Sequence, residues 1–215
     1  MNLIISAALH GCRAVLFDWD GTLADTHERN YRSLCDALAP HQVTIDAQWY
    51  RQHCGLPILD MLAQVPTPVR LPVDQILAAS RARLLALTTP ATLAAIPVTV
   101  ELAQRARAAG LPCAVASGAG AVLVNTGLDV LGLTELFSAV VTREDVEHGK
   151  PAPDTFLEAA RRLDVDPEDC LAVEDAPDGV TAARRAGMRV LLVRDGQLMW
   201  PPADLTMPDQ QGGLR

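Results

Sequence analysis

A chain of 215 residues, 49% hydrophobic and 20% charged, can bury one sizeable core plus a smaller lobe, and its composition excludes a disordered or fibrous protein. A formal net charge of -8 with no basic stripe argues against nucleic acid or any other polyanion as partner. No apolar stretch reaches the roughly 18 to 20 uncharged residues that cross a bilayer, so no membrane partner is expected. Five scattered cysteines (Cys12, Cys35, Cys54, Cys113, Cys170), with no CxxC spacing, fit a reducing cytoplasm.

The opening MNLIISAALHGC has a short apolar run without a basic flank and reads as a lead-in to the first strand rather than a cleaved signal. Residues 13–18, RAVLFD, form a continuous apolar run closed by an acid, the pattern of a central parallel strand that delivers Asp18 to its carboxyl end. In the loop that follows, Gly21 permits a sharp turn and Thr22 can bond back to the backbone. From Thr26 to about Leu87 the periodicity becomes helical. Helices are predicted near 26–39, 46–54, 57–64 and 73–87, separated by Pro40, Gly55, Pro57 and the Pro66/Pro68 pair.

After the connector TTPATLAAIP, helix and strand alternate: helix 98–109, strand 112–116, helix 120–131, strand 138–142, helix 153–163, strand 170–174, helix 177–186 and strand 189–193. This alternation predicts an α/β protein, with a Rossmann-like three-layer core around a mostly parallel sheet and an inserted all-helical cap. The expected division is a core of residues 1–25 and 90–215 and a cap of residues 26–89, with flexing near Asp25/Thr26 and 88–96. The segment beyond Leu198, rich in Pro and Gly, is expected to fray, with ADLTM as an added edge strand.

Open parallel sheets bind ligands beyond the carboxyl ends of their strands. That rule selects Asp18 and Asp20, Ser117 and Gly118, and Glu174 and Asp175. Three carboxylates at one sheet edge (Asp18, Asp20, Asp175) would repel each other unless a hard, oxygen-liganded divalent cation neutralised them, and magnesium is the natural candidate. Among the eighteen basic residues Lys150 is the only lysine, and its compact ammonium suits a tight anionic pocket. It can supply the second positive charge that a phosphoryl group needs, while the Ser117 hydroxyl and Gly118 N–H can donate to the same oxygens. Ser117 can equally cap the helix after it, a role compatible with phosphate binding there.

Other chemistries fail on spacing. His27-Glu28 begins like a zinc-protease helix, but Tyr31 stands where the second histidine belongs; Gly118-Ala119-Gly120 lacks the third glycine of a dinucleotide fingerprint, and no P-loop is present. His53 beside Cys54 reads as packing rather than as a catalytic pair. The polar cap residues His27, Asn30, Arg51 and His53 fit either a substrate-facing or a solvated helix face.

Four ordered motifs, DWDGTLADT at 18–26, Ser117 in VASG, Lys150 in HGKPAPDTF, and Glu174-Asp175 in VEDAPDG, resemble those of the haloacid dehalogenase superfamily, in its branch with a helical cap inserted after the first strand. The resemblance spans nearly the whole chain. It implies attack by Asp18 on phosphorus to give an aspartyl-phosphate, with Asp20 as acid and then base. It also implies magnesium held by Asp18, the Asp20 backbone carbonyl and Asp175, with Glu174 one water removed, and Lys150 orienting Asp18 and binding phosphate. An aspartate at position 20 makes dehalogenation unlike this chain. Asn30 stands where β-phosphoglucomutases have a histidine, and Ile58 is found instead of an arginine near the position where they grip the distal phosphate, two departures that weaken the mutase reading. Within the superfamily the sequence is most similar to small sugar-phosphate phosphatases, including fructose-1-phosphate-type enzymes, and then to phosphoglycolate phosphatases. The resemblance thus implies a monomeric, magnesium-dependent phosphatase acting on a small phosphorylated metabolite, with a phosphomutase and a non-catalytic binding module as alternatives.

Overall fold

The computed structural model describes residues 2–54, 56 and 58–200. The chain runs α1 (Asn2–Leu9), β1 (Ala14–Phe17) and β2 (Ala24–Asp25), then four helices, α2 (His27–Leu38), α3 (Ala47–His53), α4 (Ile58–Ala63) and α5 (Val73–Ala86), and returns through β3 (Ala94–Ala95). Helix and strand then alternate through α6 (Pro97–Ala108), β4 (Cys113–Ala116), α7 (Ala121–Leu131), β5 (Ala139–Val141), α8 (Asp154–Leu163), β6 (Cys170–Glu174), α9 (Pro177–Arg185), β7 (Arg189–Arg194) and β8 (Gln197–Met199).

The main sheet has the order β5-β4-β1-β6-β7-β8 and is parallel except for β8, which turns back on β7. Because side chains alternate across a strand, each central strand feeds two cores. Val15, Phe17, Val115, Leu171 and Val173 pack on one face with Ile5, Leu102 and Leu128 from α1, α6 and α7. Leu16, Ala114, Ala172 and Leu192 pack on the other with Phe156 and Val180 from α8 and α9. Three layers result, with β1 buried along its whole length.

The chain visits β4 and β5 on one side of β1 before crossing to β6 on the other, so the direction of winding reverses at β1. Such a reversal opens a crevice beyond the carboxyl ends of the strands flanking it. Asp18, Ser117 and Asp175 each directly follow one of β1, β4 and β6.

Helices α2 to α5 gather around a cluster of their own that includes Leu34, Leu38, Tyr50, Met61, Leu62 and Ile76. Ser33 on α2 meets Ser80 on α5, Oγ to Oγ at 2.6 Å, a small-residue contact that lets the two helices approach closely. Asp46 caps α3 by accepting from Trp49 N at 2.7 Å. The two connections between these helices and the sheet are paired: β2 and β3 form an antiparallel ribbon, Ala24 opposite Ala95 and Asp25 opposite Ala94.

Three elements differ from the sequence reading. The lead-in folds as α1, which buries Ile5 and Ala8, one turn apart, and leaves Leu3 87% exposed. The β2/β3 ribbon is too short to show a strand pattern. Strand β8 at 197–199 forms where no strand is predicted, and ADLTM, expected to add an edge strand, lies outside the described residues.

Helix α8 is tied to its surroundings by a charge network. Glu158 accepts from Arg161 Nε at 2.7 Å and Arg162 Nε at 2.8 Å, while Arg162 reaches Asp145 at 2.5 Å and the Val140 carbonyl at 2.8 Å. The hydrogen bonds from Arg161 and Arg162 pull the Glu158 carboxyl down to about 2. A depressed carboxyl stabilises the fold above its unfolded value, and that contribution is lost as pH falls toward its folded value. Because the network is near the surface, Glu158→Gln is expected to cost only about 1 kcal/mol at neutral pH. Denaturant melts should show the gap from wild type closing between about pH 4.5 and pH 2.

Candidate active site

Four side chains meet at the carboxyl ends of β1 and β6. Lys150 Nζ donates to Asp18 Oδ1 at 2.6 Å and to Glu174 Oε1 at 2.5 Å, and lies 4.8 Å from the centre of the Phe156 ring. All three charged groups are nearly enclosed, with side-chain exposures of 11%, 10% and 1% for Lys150, Asp18 and Glu174. The second Glu174 oxygen accepts from Asp175 N at 2.9 Å and Ala176 N at 3.0 Å, using free N–H groups just before α9. Asp175 accepts from the Thr22 hydroxyl at 3.2 Å, and Thr99 holds that loop by donating to the Thr22 carbonyl at 2.7 Å.

Two glycines permit this convergence. Gly21 has φ +77, a conformation costly for other residues, and a Cβ there would run into the Asp175 carboxylate. A Cβ at Gly179 would run into the Glu174 carboxylate. Gly→Ala inside a helix ordinarily stabilises by about 1 kcal/mol. Gly179→Ala is expected to do the reverse here, lowering both the melting temperature and turnover by displacing Glu174 from Lys150. A raised melting temperature with unchanged activity would contradict this packing.

Asp20 lies outside that cluster and is engaged by α2. Its carboxylate accepts from Asn30 Nδ2 at 3.3 Å and lies 3.9 Å from Arg29 Nη2, both on α2. Arg29 is buried, its Nη1 donating to the Thr88 hydroxyl at 2.9 Å while its Nε has no partner. Of the polar cap residues singled out in the sequence, Asn30 reaches this site, whereas His53 stacks on Trp49 and His27 packs edge-on against Tyr50. Arg29 is missed by the sequence reading. Its position on the buried stripe with Ser33, Leu34 and Ala37 is the signal that could have found it.

Ser117 is buried at the adjacent strand end, where its Oγ accepts from Ala119 N at 3.0 Å. It caps this turn rather than α7. The first residue of α7 instead donates from Ala121 N to Glu144 Oε2 at 3.0 Å. Gly118 is exposed, with nothing within 4 Å of where a Cβ would stand.

One carboxylate oxygen from each of Asp18, Glu174 and Asp175 lies within 4.8 Å of the others. Burial pushes Asp18 well above the usual carboxylate range, with Glu174 and Asp175 adding to the rise and Lys150 pulling against it. Burial and then Glu174 push Asp175 up to about 7, opposed by the Thr22 hydrogen bond and by Lys150. Burial alone would depress Lys150, but Asp18 and Glu174 more than offset it and hold the ammonium charged. Two buried carboxylates and the half-buried Asp175 against one ammonium are an excess of hard oxygen donors that could hold a metal cation.

An anionic metal cradle beside a buried lysine, at the switch point of a parallel sheet, defines a site suited to phosphoryl chemistry. The profile of the haloacid dehalogenase-like hydrolases matches residues 12–187, and the chain belongs to that family. It is 34% identical to the Escherichia coli fructose-1-phosphate phosphatase YqaB, over 84% of this chain and 95% of that protein. It is 35% identical to a probable pseudouridine-5'-phosphatase of Drosophila melanogaster, over 85% and 82%. Among solved structures it is similar to Rhodobacter sphaeroides CbbY in complex with phosphate, with TM-score 0.75 and 30% identity, over 94% of this chain and 91% of that one. The protein is therefore a hydrolase of a family whose members include phosphatases. No described helix is long and apolar enough to cross a membrane, and all five cysteines are free thiols.

Proposed function

We propose that the protein is a magnesium-dependent phosphatase that hydrolyses a small phosphorylated metabolite, of the sugar-phosphate or phosphoglycolate type, through an aspartyl-phosphate on Asp18. The observation that carries this reading is the double hydrogen bond of Lys150 to Asp18 and Glu174 beside Asp175, which holds one ammonium against a cluster of three carboxylates.

In this reading a carboxylate oxygen of Asp18 attacks phosphorus in line. The bond from phosphorus to the alcohol oxygen breaks, and Asp20 gives that oxygen its proton. Water then attacks the acyl-phosphate at phosphorus, its proton passes to Asp20, and inorganic phosphate leaves with the Asp18 carboxylate restored. Ser117, the Gly118 N–H and Lys150 hold the phosphoryl oxygens. Asp18, Asp175 and the Asp20 backbone carbonyl would bind magnesium, with Glu174 one step removed. Bound there, the ion neutralises the acids and draws charge from the phosphoryl oxygens.

Residues 26–89 act as a cap on a core of 1–25 and 90–215, closing over the site to exclude water, with the β2/β3 ribbon as hinge. The bonds from Arg29 and Asn30 to Asp20 support this reading, since they link cap position to the acid. The free thiols fit a cytoplasmic enzyme, acting as a monomer.

The purified protein should release phosphate from members of a panel of sugar phosphates and phosphoglycolate with Mg2+ present. EDTA should abolish release, and excess Mg2+ should restore it. Isomerised phosphate without release would favour a mutase, and no reaction across the panel would favour a binding module.

A further inference from the structure

A cavity of about 580 Å³ lies between the cap helices and the sheet edge, bounded at its base by Asp20 and Gly118. That size suits a small organic ligand. Its walls are mostly apolar: Leu34, Met61, Leu77 and Leu84 come from α2, α4 and α5, and Val122 and Leu123 from α7. Three large hydrophobic side chains that are exposed to solvent, Ile58, Leu85 and Val122, all line this cavity, and Val122 is 66% exposed.

Part of the polar lining is committed already. Asn30 donates to Asp20, Ser80 pairs with Ser33, Glu144 accepts from Ala121 N, and Arg143 donates to the Val146 carbonyl at 2.8 Å. The Tyr50 hydroxyl, the exposed Arg81 and the remaining polar atoms of Asp20, Asn30, Arg143 and Glu144 are left for a ligand, at the rim of walls that are otherwise apolar. A polyhydroxylated leaving group would bring several hydroxyls against leucine, methionine and valine, and each one buried without a partner opposes binding. An apolar body would instead cover side chains that otherwise face water.

We propose that the substrate of this site is a phosphomonoester whose alcohol carries an apolar body, an aromatic ring or branched aliphatic chain, rather than a sugar. The phosphoryl group sits at Asp18 and the body extends past Asp20 into the cavity. This rests on the phosphatase reading above and replaces its sugar-phosphate or phosphoglycolate substrate with an apolar ester.

The test compares kcat/KM with Mg2+ for phenethyl phosphate and for a hexose phosphate esterified at its primary hydroxyl, so that both leaving groups are primary alcohols. Calorimetry with the non-hydrolysable phenethylphosphonate gives binding without turnover. The expected result is a preference of about tenfold or more for the phenethyl ester. Val122→Asp should weaken phosphonate binding and shrink that preference. Phosphate release with the hexose ester equal or preferred would overturn the apolar assignment and leave the phosphatase reading standing. No release from any ester would overturn the phosphatase reading, and this inference with it.

Discussion

Asp18→Asn is expected to lower turnover by at least about a thousandfold while leaving the protein folded. An amide has the shape of the carboxylate but neither its charge nor its nucleophilic oxygen, so the covalent step has no attacking atom. The fold should tolerate the change, because burial already holds the Asp18 carboxyl well above its usual range. A neutral group at that position relieves desolvation, and Lys150 keeps its bond to Glu174. The variant should therefore melt no lower than wild type in the absence of metal. Turnover near that of wild type would contradict the nucleophile assignment.

Lys150→Ala is expected to act on both chemistry and stability. Loss of one buried donor to the phosphoryl oxygens should cost about 3–4 kcal/mol in the transition state, on the order of several hundredfold in kcat. A loss below about tenfold would place the lysine outside the site. Without its ammonium, Asp18 and Glu174 become buried carboxyls with no cation between them, an arrangement that costs roughly 3–5 kcal/mol when charged. Asp18 escapes that cost by holding a proton, the direction in which burial already pushes its carboxyl. A group shifted in that direction contributes stability at low pH and loses it as pH rises. Metal-free melts of Lys150→Ala should therefore fall further below wild type as pH rises from the acid side. Added Mg2+ should recover more stability in the variant than in wild type.

The central strands were legible because they are buried on both faces, and continuous runs such as AVLF and CLAVE leave little ambiguity. Their ends then located the candidate site, since a parallel sheet presents ligand-binding residues at one edge. Lys150 could be singled out by composition, yet the partnership it makes with Glu174 could not. Sequence spacing does not reveal that Glu174 turns back to accept from Asp175 N and Ala176 N and so presents its other oxygen to the lysine. Gly179 was equally silent, because a glycine within a helix looks like a weak helix former until the carboxylate against it is seen. Arg29 was hidden for the opposite reason. Arginine usually marks a solvated face, and only tertiary packing turns it inward toward Asp20 and Thr88. Helix α1 was missed because its short apolar run carries no cap or charge to mark a period.

Rapid quenching of the wild-type protein with a substrate labelled in its phosphoryl group, followed by peptide mapping, tests the covalent step most directly. The label should appear on the peptide containing Asp18, should be released by hydroxylamine as an acyl-phosphate is, and should be absent from Asp18→Asn. Label on a different side chain, or steady phosphate release from Asp18→Asn, would contradict a mechanism built on this aspartate.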